Sequence, residues 1–541
     1  MKKSRSSSFL VIIIALSLAQ FIMTVDTTIM NVTVPTLVKD LNTTVSAVQL
    51  AITLYALIMA SFMLIGGKLG ELYGRKRMFQ VGLTIYAIGS LITSIAPNIV
   101  VLIIGWSILE GLGASMMMPA MMALISINFK GKQRVSALGI TAGVAGAAAA
   151  LGPIIGGALS TYASWRYAFV GEVIIAAITM VLSRNILDAK LAKKVPLDVK
   201  GAVLAASGLG IFVIGILQAT TYGWIRATQP FTIGNFSFNL FGLSIVPFIC
   251  GIGLFLIWRF MKVEAHLEKK MKSGLLKVSL LQTISLRTGL SIVLVTQLLM
   301  GGILFILPLF LQIVLGFSAI KSGVALLPLS IGLIGASVYS AKLLKKYPPT
   351  RIIRAGQYIL LAGIGWLYVI ISNDTQTLSL VIPFLLAGIG IGLIIPINQS
   401  VILGSASDKD ASQVGGLNYT AQQLGMSLGT AVIGSVLIFS LGNGIIKGLS
   451  DSSQFDQQQV QAQSTQISSN VEFISNSQLQ TGLQKTELSP DQQTEVTKIN
   501  EDSRLRAIKL SIAAAFVIGL LSLVSSSRMT EDYKLKHKYS T

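Results

Sequence analysis

The chain has 541 residues, 52% hydrophobic and only 12% charged, at a mean hydropathy of +0.73. A soluble domain carries roughly 25% charged residues, so a soluble multidomain enzyme is excluded and a bilayer is the solvent that fits. The formal charge of +20 does not signal nucleic acid, because the 42 Lys and Arg fall in short loops between apolar runs and no segment offers a basic face with interleaved aromatics.

A helix crossing a hydrocarbon core needs about 20 mostly apolar residues. Runs of that kind are read at 9–30, 46–66, 79–96, 99–122, 135–159, 167–186, 201–219, 241–261, 288–312, 323–341, 355–372, 379–400, 416–440 and 506–527, fourteen in all. The first follows Met1-Lys2-Lys3-Ser4-Arg5 and contains Asp26; it reads as a retained first helix, not a signal peptide. The fourth carries Glu110 and the run Met116-Met117-Met118, whose flexible side chains suit an adaptable wall. The fifth contains Gly152, Pro153, Gly156 and Gly157, which let a helix kink and approach its neighbours. Glu172 lies in the sixth, and Cys250, the lone cysteine, in the eighth.

Placing the N-terminus in the cytoplasm puts 32 of the 42 Lys and Arg inside, so the positive-inside rule sets both termini on the cytoplasmic face of the cell membrane. One external segment, 443–505, stands apart: it is rich in Gln, Ser, Asn and Thr, with eight acids against four bases. It reads as a mostly flexible loop to 488, after which Ser489-Pro490-Asp491 opens a helix running into the last span.

The chain repeats itself. At an offset of 274, Lys68, Leu69, Tyr73, Arg77 and Gly82 find Lys342, Leu343, Tyr347, Arg351 and Gly356. At 277, Gly111, Gly113 and Pro119 fall on Gly388, Gly390 and Pro396, and Gly152 and Gly157 on Gly429 and Gly434. The predicted architecture is all-α and integral to the membrane: a six-helix bundle over 1–186, an inserted helix pair with basic linkers over 187–287, and a second six-helix bundle over 288–541 that carries the polar outer segment. Such repeats mark secondary transporters, with substrate between the halves and alternating access as one half rocks against the other.

The halves differ in chemistry. Asp26, Glu110 and Glu172 all lie in spans of the first half, and Ala387 stands where Glu110 would fall in the second. An ionisable group inside the bilayer signals an ion path, so the three are candidates for proton coupling. Counting residues along each run at about 1.5 Å per residue places Glu110 near the midplane and the other two in the outer half. His266 and His537 lie in hydrophilic segments, no cysteine pair exists, and GxxxxGK[ST] is absent. Metal, Ser-His and nucleotide-driven chemistry are therefore not expected, and neither is an enzyme.

Gly67-Lys68-Leu69-Gly70-Glu71-Leu72-Tyr73-Gly74-Arg75-Lys76-Arg77 resembles the loop signature between helices 2 and 3 of the major facilitator superfamily, with Glu71 where that family usually has Asp. Asp26-Thr27-Thr28-Ile29-Met30-Asn31-Val32 resembles its first-helix pattern, Leu151-Gly152-Pro153-Ile154-Ile155-Gly156-Gly157 its helix-5 antiporter motif, and Trp165-Arg166-Tyr167-Ala168-Phe169 the opening of helix 6. Together they are similar to the fourteen-helix drug:proton antiporters. Two places depart from that pattern: Ser107 and Glu110 stand where an Arg and a Gln are common, and Glu172 where an Asn is usual.

The resemblance implies a monomeric antiporter that expels amphiphilic, cationic small molecules against protons, with no cofactor beyond the proton gradient. An exporter of an endogenous lipid, peptide or metabolite is the alternative. Glu71 among Arg75, Lys76 and Arg77 would form a cytoplasmic charge latch on a loop turned by Gly70 and Gly74. Polar candidates for the substrate wall are Gln297, Gln312, Asn398, Gln399, Asn418 and Gln422.

Overall fold

The structure, a computed structural model, describes residues 2–129, 132–188, 198–233, 236–238, 241–270, 274–405, 411–486 and 488–527. Parts of the expected basic loops (130–131, 189–197 and 271–273) and the tail at 528–541, with His537, lie outside the described residues. Helix α1 spans Lys2–Asp40 and overruns the predicted first span by ten residues at its far end. Thr44 Oγ1 caps α2 (Val45–Tyr73) by accepting from Ala47 N at 3.1 Å. Gly74, at φ 101°, takes a backbone that favours glycine and turns the chain into α3 (Arg75–Ser94). Asn98 Oδ1 accepts from Val101 N at 3.0 Å to open α4 (Ile99–Asn128), in which Ile103–Glu110 is wound as a π-helix. Helices α5 (Lys132–Tyr162) and α6 (Arg166–Ser183) complete the first half.

Helix α7 (Val199–Leu217) opens on Asp198, whose Oδ1 accepts from Gly201 N at 3.0 Å. A small hairpin of β1 (Phe231–Ile233) and β2 (Phe236–Phe238) then leads to α8 (Val246–Lys269), which starts five residues later than the apolar run because Pro247 sits in its first turn. The second half comprises α9 (Ile284–Val314), α10 (Ala319–Leu343), α11 (Pro349–Ile370), α12 (Thr377–Gly404), α13 (Ala411–Asp451) and α14 (Pro490–Ser527). Among the described residues thirteen helices are long and apolar enough to span a membrane. The remaining one, α3, has 20 residues and a first turn of Arg75, Lys76 and Arg77, and it packs against α4 and α6 as a full member of the bundle.

Packing reproduces the repeat. Helix α1 lies against α5 and α6, α2 and α3 against α4, and α3 against α6; correspondingly α9 lies against α13 and α14, α10 and α11 against α12, and α11 against α14. Glycines show the same equivalence at atomic scale. A Cβ on Gly82 would meet Gly113 O at 2.6 Å, and one on Gly356 would meet Gly390 O at 2.9 Å. A Cβ on Gly89 would come 2.8 Å from Glu110 N, and one on Gly363 2.8 Å from Ala387 N. Small residues let helix backbones touch where lipid offers no hydrophobic drive, so both halves close on the same contacts. The halves meet through α2 with α13, α5 with α10 and α1 with α9, while α7 and α8 pair with each other and rest on α2 and α13.

The outer segment departs from the flexible loop its composition suggests. Helix α13 runs on to Asp451, and two short helices follow at Gln457–Asn470 and Asn476–Leu483. Phe473 is fully buried, and buried Arg504 of α14 donates to Ile474 O at 2.7 Å and to Asn476 Oδ1. Polar composition here reflects a wet surface, and one aromatic with one arginine fastens the segment to the bundle. Helix α14 begins at Pro490 behind Ser489, whose Oγ accepts from Gln492 N at 3.3 Å.

Candidate functional site

Helices α1, α4 and α6 bring Asp26, Glu110 and Glu172 into one buried site, where an oxygen of each carboxylate lies within 4.8 Å of the others. Counting residues along the apolar runs separates their depths. Because α1 continues to Asp40, Asp26 lies lower in its helix than the run 9–30 implies, which brings it toward Glu110; Glu172 keeps its place near the start of α6, and the three carboxylates meet there.

The π-helical winding ends at Glu110 and carries Trp106 on the same buried side. Trp106 Nε1 donates to both oxygens of Asp26, at 2.8 and 3.0 Å, and its ring stacks on Tyr55 of α2 at 4.8 Å and 6°. From α3, Tyr86 and Ser90 each donate to Glu172 Oε2 at 3.1 Å, and Thr93 donates to Glu110 Oε1 at 3.5 Å. Glu110 Oε2, Glu172 Oε1 and the Tyr55 hydroxyl complete no hydrogen bond among the described residues. The set holds three carboxylates and a ring of hydroxyls. Among the described residues no salt bridge reaches it. The composition singles out the acids but not their partners, although Tyr86, Ser90 and Thr93 fall at i, i+4 and i+7, one face of a helix.

A narrow cavity lies between the halves, on another face of α1. It is lined by Thr28, Asn31 and Val32 of α1, Ala149 and Pro153 of α5, Met300, Leu304 and Pro308 of α9, and Leu326, Leu329, Ser330 and Leu333 of α10. Asn31 Nδ2 donates to Thr27 O at 2.7 Å, leaving Oδ1 without a partner among the described residues.

The polar positions singled out in the second half lie elsewhere. Gln312 Nε2 bridges the halves to Val32 O at 2.8 Å, and Asn398 Nδ2 donates to Gly289 O at 2.8 Å, binding α12 to α9. Gln297 and Asn418 are buried, Gln399 and Gln422 half-buried, and none of the six lines the cavity. Their amides serve helix packing wherever a bond is made. Met117 and Met118 are core, and the methionine facing the cavity is Met300.

At the Lys68 end the charges pair differently from the expected latch. Helix α2 continues to Tyr73, so Glu71 sits one turn from Lys68 and pairs with it at 3.1 Å, not with Arg75, Lys76 or Arg77 among the described residues. The N-terminus of α3 is held by Asp188, whose oxygens accept from Arg75 N at 3.3 Å and Lys76 N at 3.0 Å, and Lys76 Nζ donates to Arg184 O at 2.7 Å. A carboxylate at a helix N-terminus is favoured by the orphan amides there. Gly67 and Glu71 line a cleft with Pro119, Gln413 and Gly416, and Gly70 lies against Arg75.

At the other end α5 and α10 meet closely. A Cβ on Gly157 would strike Ala319 O at 2.6 Å, one on Gly323 would strike Pro153 O, and Ile320 N donates to Thr161 Oγ1 at 3.2 Å. Gly152 and Gly156 press α5 against Thr28 and Ile29 of α1. Nearby, Arg166 pairs with Asp40, which also accepts from Trp165 Nε1 at 2.9 Å.

Comparison with known proteins matches residues 16–430 to the Major Facilitator Superfamily. The tetracenomycin C resistance and export protein of Streptomyces glaucescens is 27% identical over 80% of this chain and 76% of its own length. The methylenomycin A resistance protein of Bacillus subtilis is 25% identical over 81% of this chain and 90% of its own. Among solved structures, an auto-inhibited POT family peptide transporter superposes with a TM-score of 0.58 at 14% identity over 98% of both chains. The human organic anion transporter MFSD10 superposes with 0.54, also at 14%, over 86% of this chain and 97% of its own. At that identity the structures speak to the fold alone. The repeat, the cavity between halves and the family match together place this chain in the Major Facilitator Superfamily, as a membrane transporter and not an enzyme.

Proposed function

We propose that this transporter exports amphiphilic, cationic small molecules in exchange for protons, working as a monomer in the cell membrane with both termini in the cytoplasm. The two six-helix bundles, 1–186 and 288–541, rock against each other about the cavity, and the pair within 187–287 packs beside them. The observation that carries the reading is the buried set of Asp26, Glu110 and Glu172, whose oxygens converge within 4.8 Å. Three like charges cannot be held so close together away from water, so part of the set carries protons. Asp26 and the cavity residues Thr28 and Asn31 occupy different faces of the same helix. Rotation of α1 therefore links occupancy of the cavity to water access at the carboxylates, with Gly152, Pro153, Gly156 and Gly157 on one side and the Gly67–Arg77 segment, where α2 turns into α3 at Gly74, on the other as the moving contacts.

The relatives that bear antibiotic-resistance and export names support the direction of transport. A wall of Met300, Leu304, Pro308, Leu329 and Leu333 suits an apolar body, and Asn31, Ser330 and Thr28 offer it a few acceptors. The uncompensated acids favour a cation in the adjoining cavity. Dye accumulation in inverted vesicles driven by a pH gradient tests the assignment. Asp26→Asn and Glu110→Gln are expected to cut it at least tenfold, and undiminished transport in both would remove these residues from coupling. The apolar wall equally favours a second reading, a neutral lipid-like metabolite, which a substrate panel in the same vesicles separates.

A further inference from the structure

We propose that Leu275, on the linker leading from the inserted pair into the second half, is the gate residue that closes the seam between α2 and α13 at the end proposed as cytoplasmic. Glu264 of α8 is the positioning residue that holds it there. This deepens the proposed transport cycle and rests on it.

Residues 274–282 lead from α8 toward α9 and end in a 3-10 turn at Val278–Gln282. An irregular stretch has backbone amides without ladder partners, and two carboxylates one helical turn apart on α8 supply acceptors at two points. Glu264 Oε2 accepts from Leu276 N at 3.0 Å. Glu268 Oε2 accepts from Ser279 N at 3.0 Å, and its Oε1 accepts from the Ser279 hydroxyl. Glycine suits the point where the linker passes, because a Cβ on Gly274 would strike Glu264 Oε2. Glu264 is fully buried although it sits near the polar end of its helix. Its other oxygen lies against the start of α7, where a Cβ on Gly201 would come 2.6 Å from Glu264 Oε1 and would also strike Asp198 Oδ2. One side chain thus joins the start of α7, the end of α8 and the linker.

This clasp sets Leu275 between the halves. Leu275 is buried and lines the cleft with Leu64, Gly67 and Glu71 of α2, Pro119 of α4, and Gln413 and Gly416 of α13. A Cβ on Gly416 would come 3.6 Å from Leu64 Cδ2, so the two helices face each other directly there. Leu275 and Leu276 also belong to an apolar cluster with Leu286 and Val293 of α9, Ile402 of α12, and Val414 and Leu417 of α13. The linker is therefore packed as part of the second half. Rocking that parts α2 from α13 at this end has to draw Leu275 away from α2 and α4, and its return refills the seam. An apolar side chain in that place keeps water out while the seam is shut. The inserted pair then has a part in the cycle, because through Glu264 it sets where the gate residue sits.

In a Cys250→Ser background, Leu275→Cys reports the gate in inverted vesicles, whose outward face is the one proposed as cytoplasmic. A membrane-impermeant maleimide is expected to label it slowly at rest. Labelling should be at least fivefold faster when a pH gradient drives uptake of ethidium, an amphiphilic cation. Leu281→Cys, on the same linker and packed against the same cluster, is the second reporter should Leu275→Cys fold or transport poorly. Glu264→Ala should raise the resting rate at least fivefold. Glu264→Gln, whose amide oxygen still accepts from Leu276 N, should restore the slow rate. Should Glu264→Ala fail to fold, Glu268→Ala, which releases Ser279, takes its place. Joining cysteines at 275 and 413 with a short bismaleimide should cut ethidium transport at least tenfold. Labelling as fast at rest as in turnover, or parent-level transport in the crosslinked protein, would overturn the gate. A resting rate unchanged in the alanine variants, or as fast in Glu264→Gln as in Glu264→Ala, would overturn the role of Glu264. Parent vesicles that move ethidium while position 275 stays indifferent sink this inference alone; parent vesicles that take up no ethidium under a pH gradient sink the transport reading with it.

Discussion

Trp106 shows how much one donor contributes at the residue scale. Its Nε1–H reaches both oxygens of Asp26, and its ring rests on Tyr55. Trp106→Phe keeps an aromatic face and removes the donor. A hydrogen bond to a charged group is worth about 1.5–3 kcal/mol, so pH-driven dye transport should fall roughly tenfold or more while the protein remains folded; transport at the parent level would show the bond to be incidental. Glycines supply a contrasting pair. Gly89→Ala places a Cβ 2.6 Å from Gly105 O and 2.8 Å from Glu110 N, both backbone, so the α3–α4 crossing must open. Overpacking of this kind typically costs about 1–3 kcal/mol. A Cβ on Gly139, in α5, meets nothing within 4 Å, and Ala there gains up to about 1 kcal/mol of helix propensity. Melting of the purified variants should separate them in opposite directions, and equal melting temperatures would contradict the crossing.

At the scale of elements, α5 and α10 form the contact that the proposed rocking of the halves has to break. Thr161 Oγ1 accepts from Ile320 N at 3.2 Å, and Gly157 lies against Ala319. With Cys250→Ser removing the lone thiol, cysteines introduced at 161 and 320, whose parent residues share that hydrogen bond, test the contact by crosslinking. Oxidation should arrest transport at least tenfold and reductant should restore it; turnover continuing in the crosslinked protein would mean that this end need not open. The outer segment gives a second test. Arg504→Ala abandons Ile474 O and Asn476 Oδ1, and a buried group left unpaired costs about 1–3 kcal/mol. Limited proteolysis between 452 and 488 should then accelerate several-fold while the bundle stays intact. Unchanged cleavage would show that Phe473 alone is enough to hold the segment.

At the scale of the molecule, fourteen helices are legible because a span is a local property, some 20 apolar residues read without knowledge of neighbours. The pseudo-repeat is legible for a similar reason: Gly82 with Gly113 and Gly356 with Gly390 are contacts that tolerate only glycine, so their spacing survives in both halves. The site was legible only in part. Asp26, Glu110 and Glu172 stand out as acids in lipid, but nothing local says that three helices deliver them to one point or that a π-helical turn aims Trp106 at Asp26. The amide nitrogens of Gln312 and Asn398 look like substrate donors in the sequence and in the structure donate to Val32 O and Gly289 O, while Asn398 Oδ1 has no partner among the described residues, a distribution that only packing decides. Concentrating Asp26, Glu110 and Glu172 in one half has an energetic consequence. Expelling a monovalent cation for one proton moves no net charge, and the membrane potential does not help. Three carboxylates have room for two protons, and a two-for-one exchange carries one positive charge inward, worth about 2.3 kcal/mol per 100 mV. A potassium diffusion potential, negative on the side from which a monovalent cationic dye is expelled and applied without a pH difference, should therefore drive its transport in reconstituted vesicles. Glu172→Gln, with two carboxylates left, should lose that voltage response while keeping part of the pH response. A parent protein indifferent to voltage would restrict the exchange to one proton and leave the third carboxylate without a part in coupling.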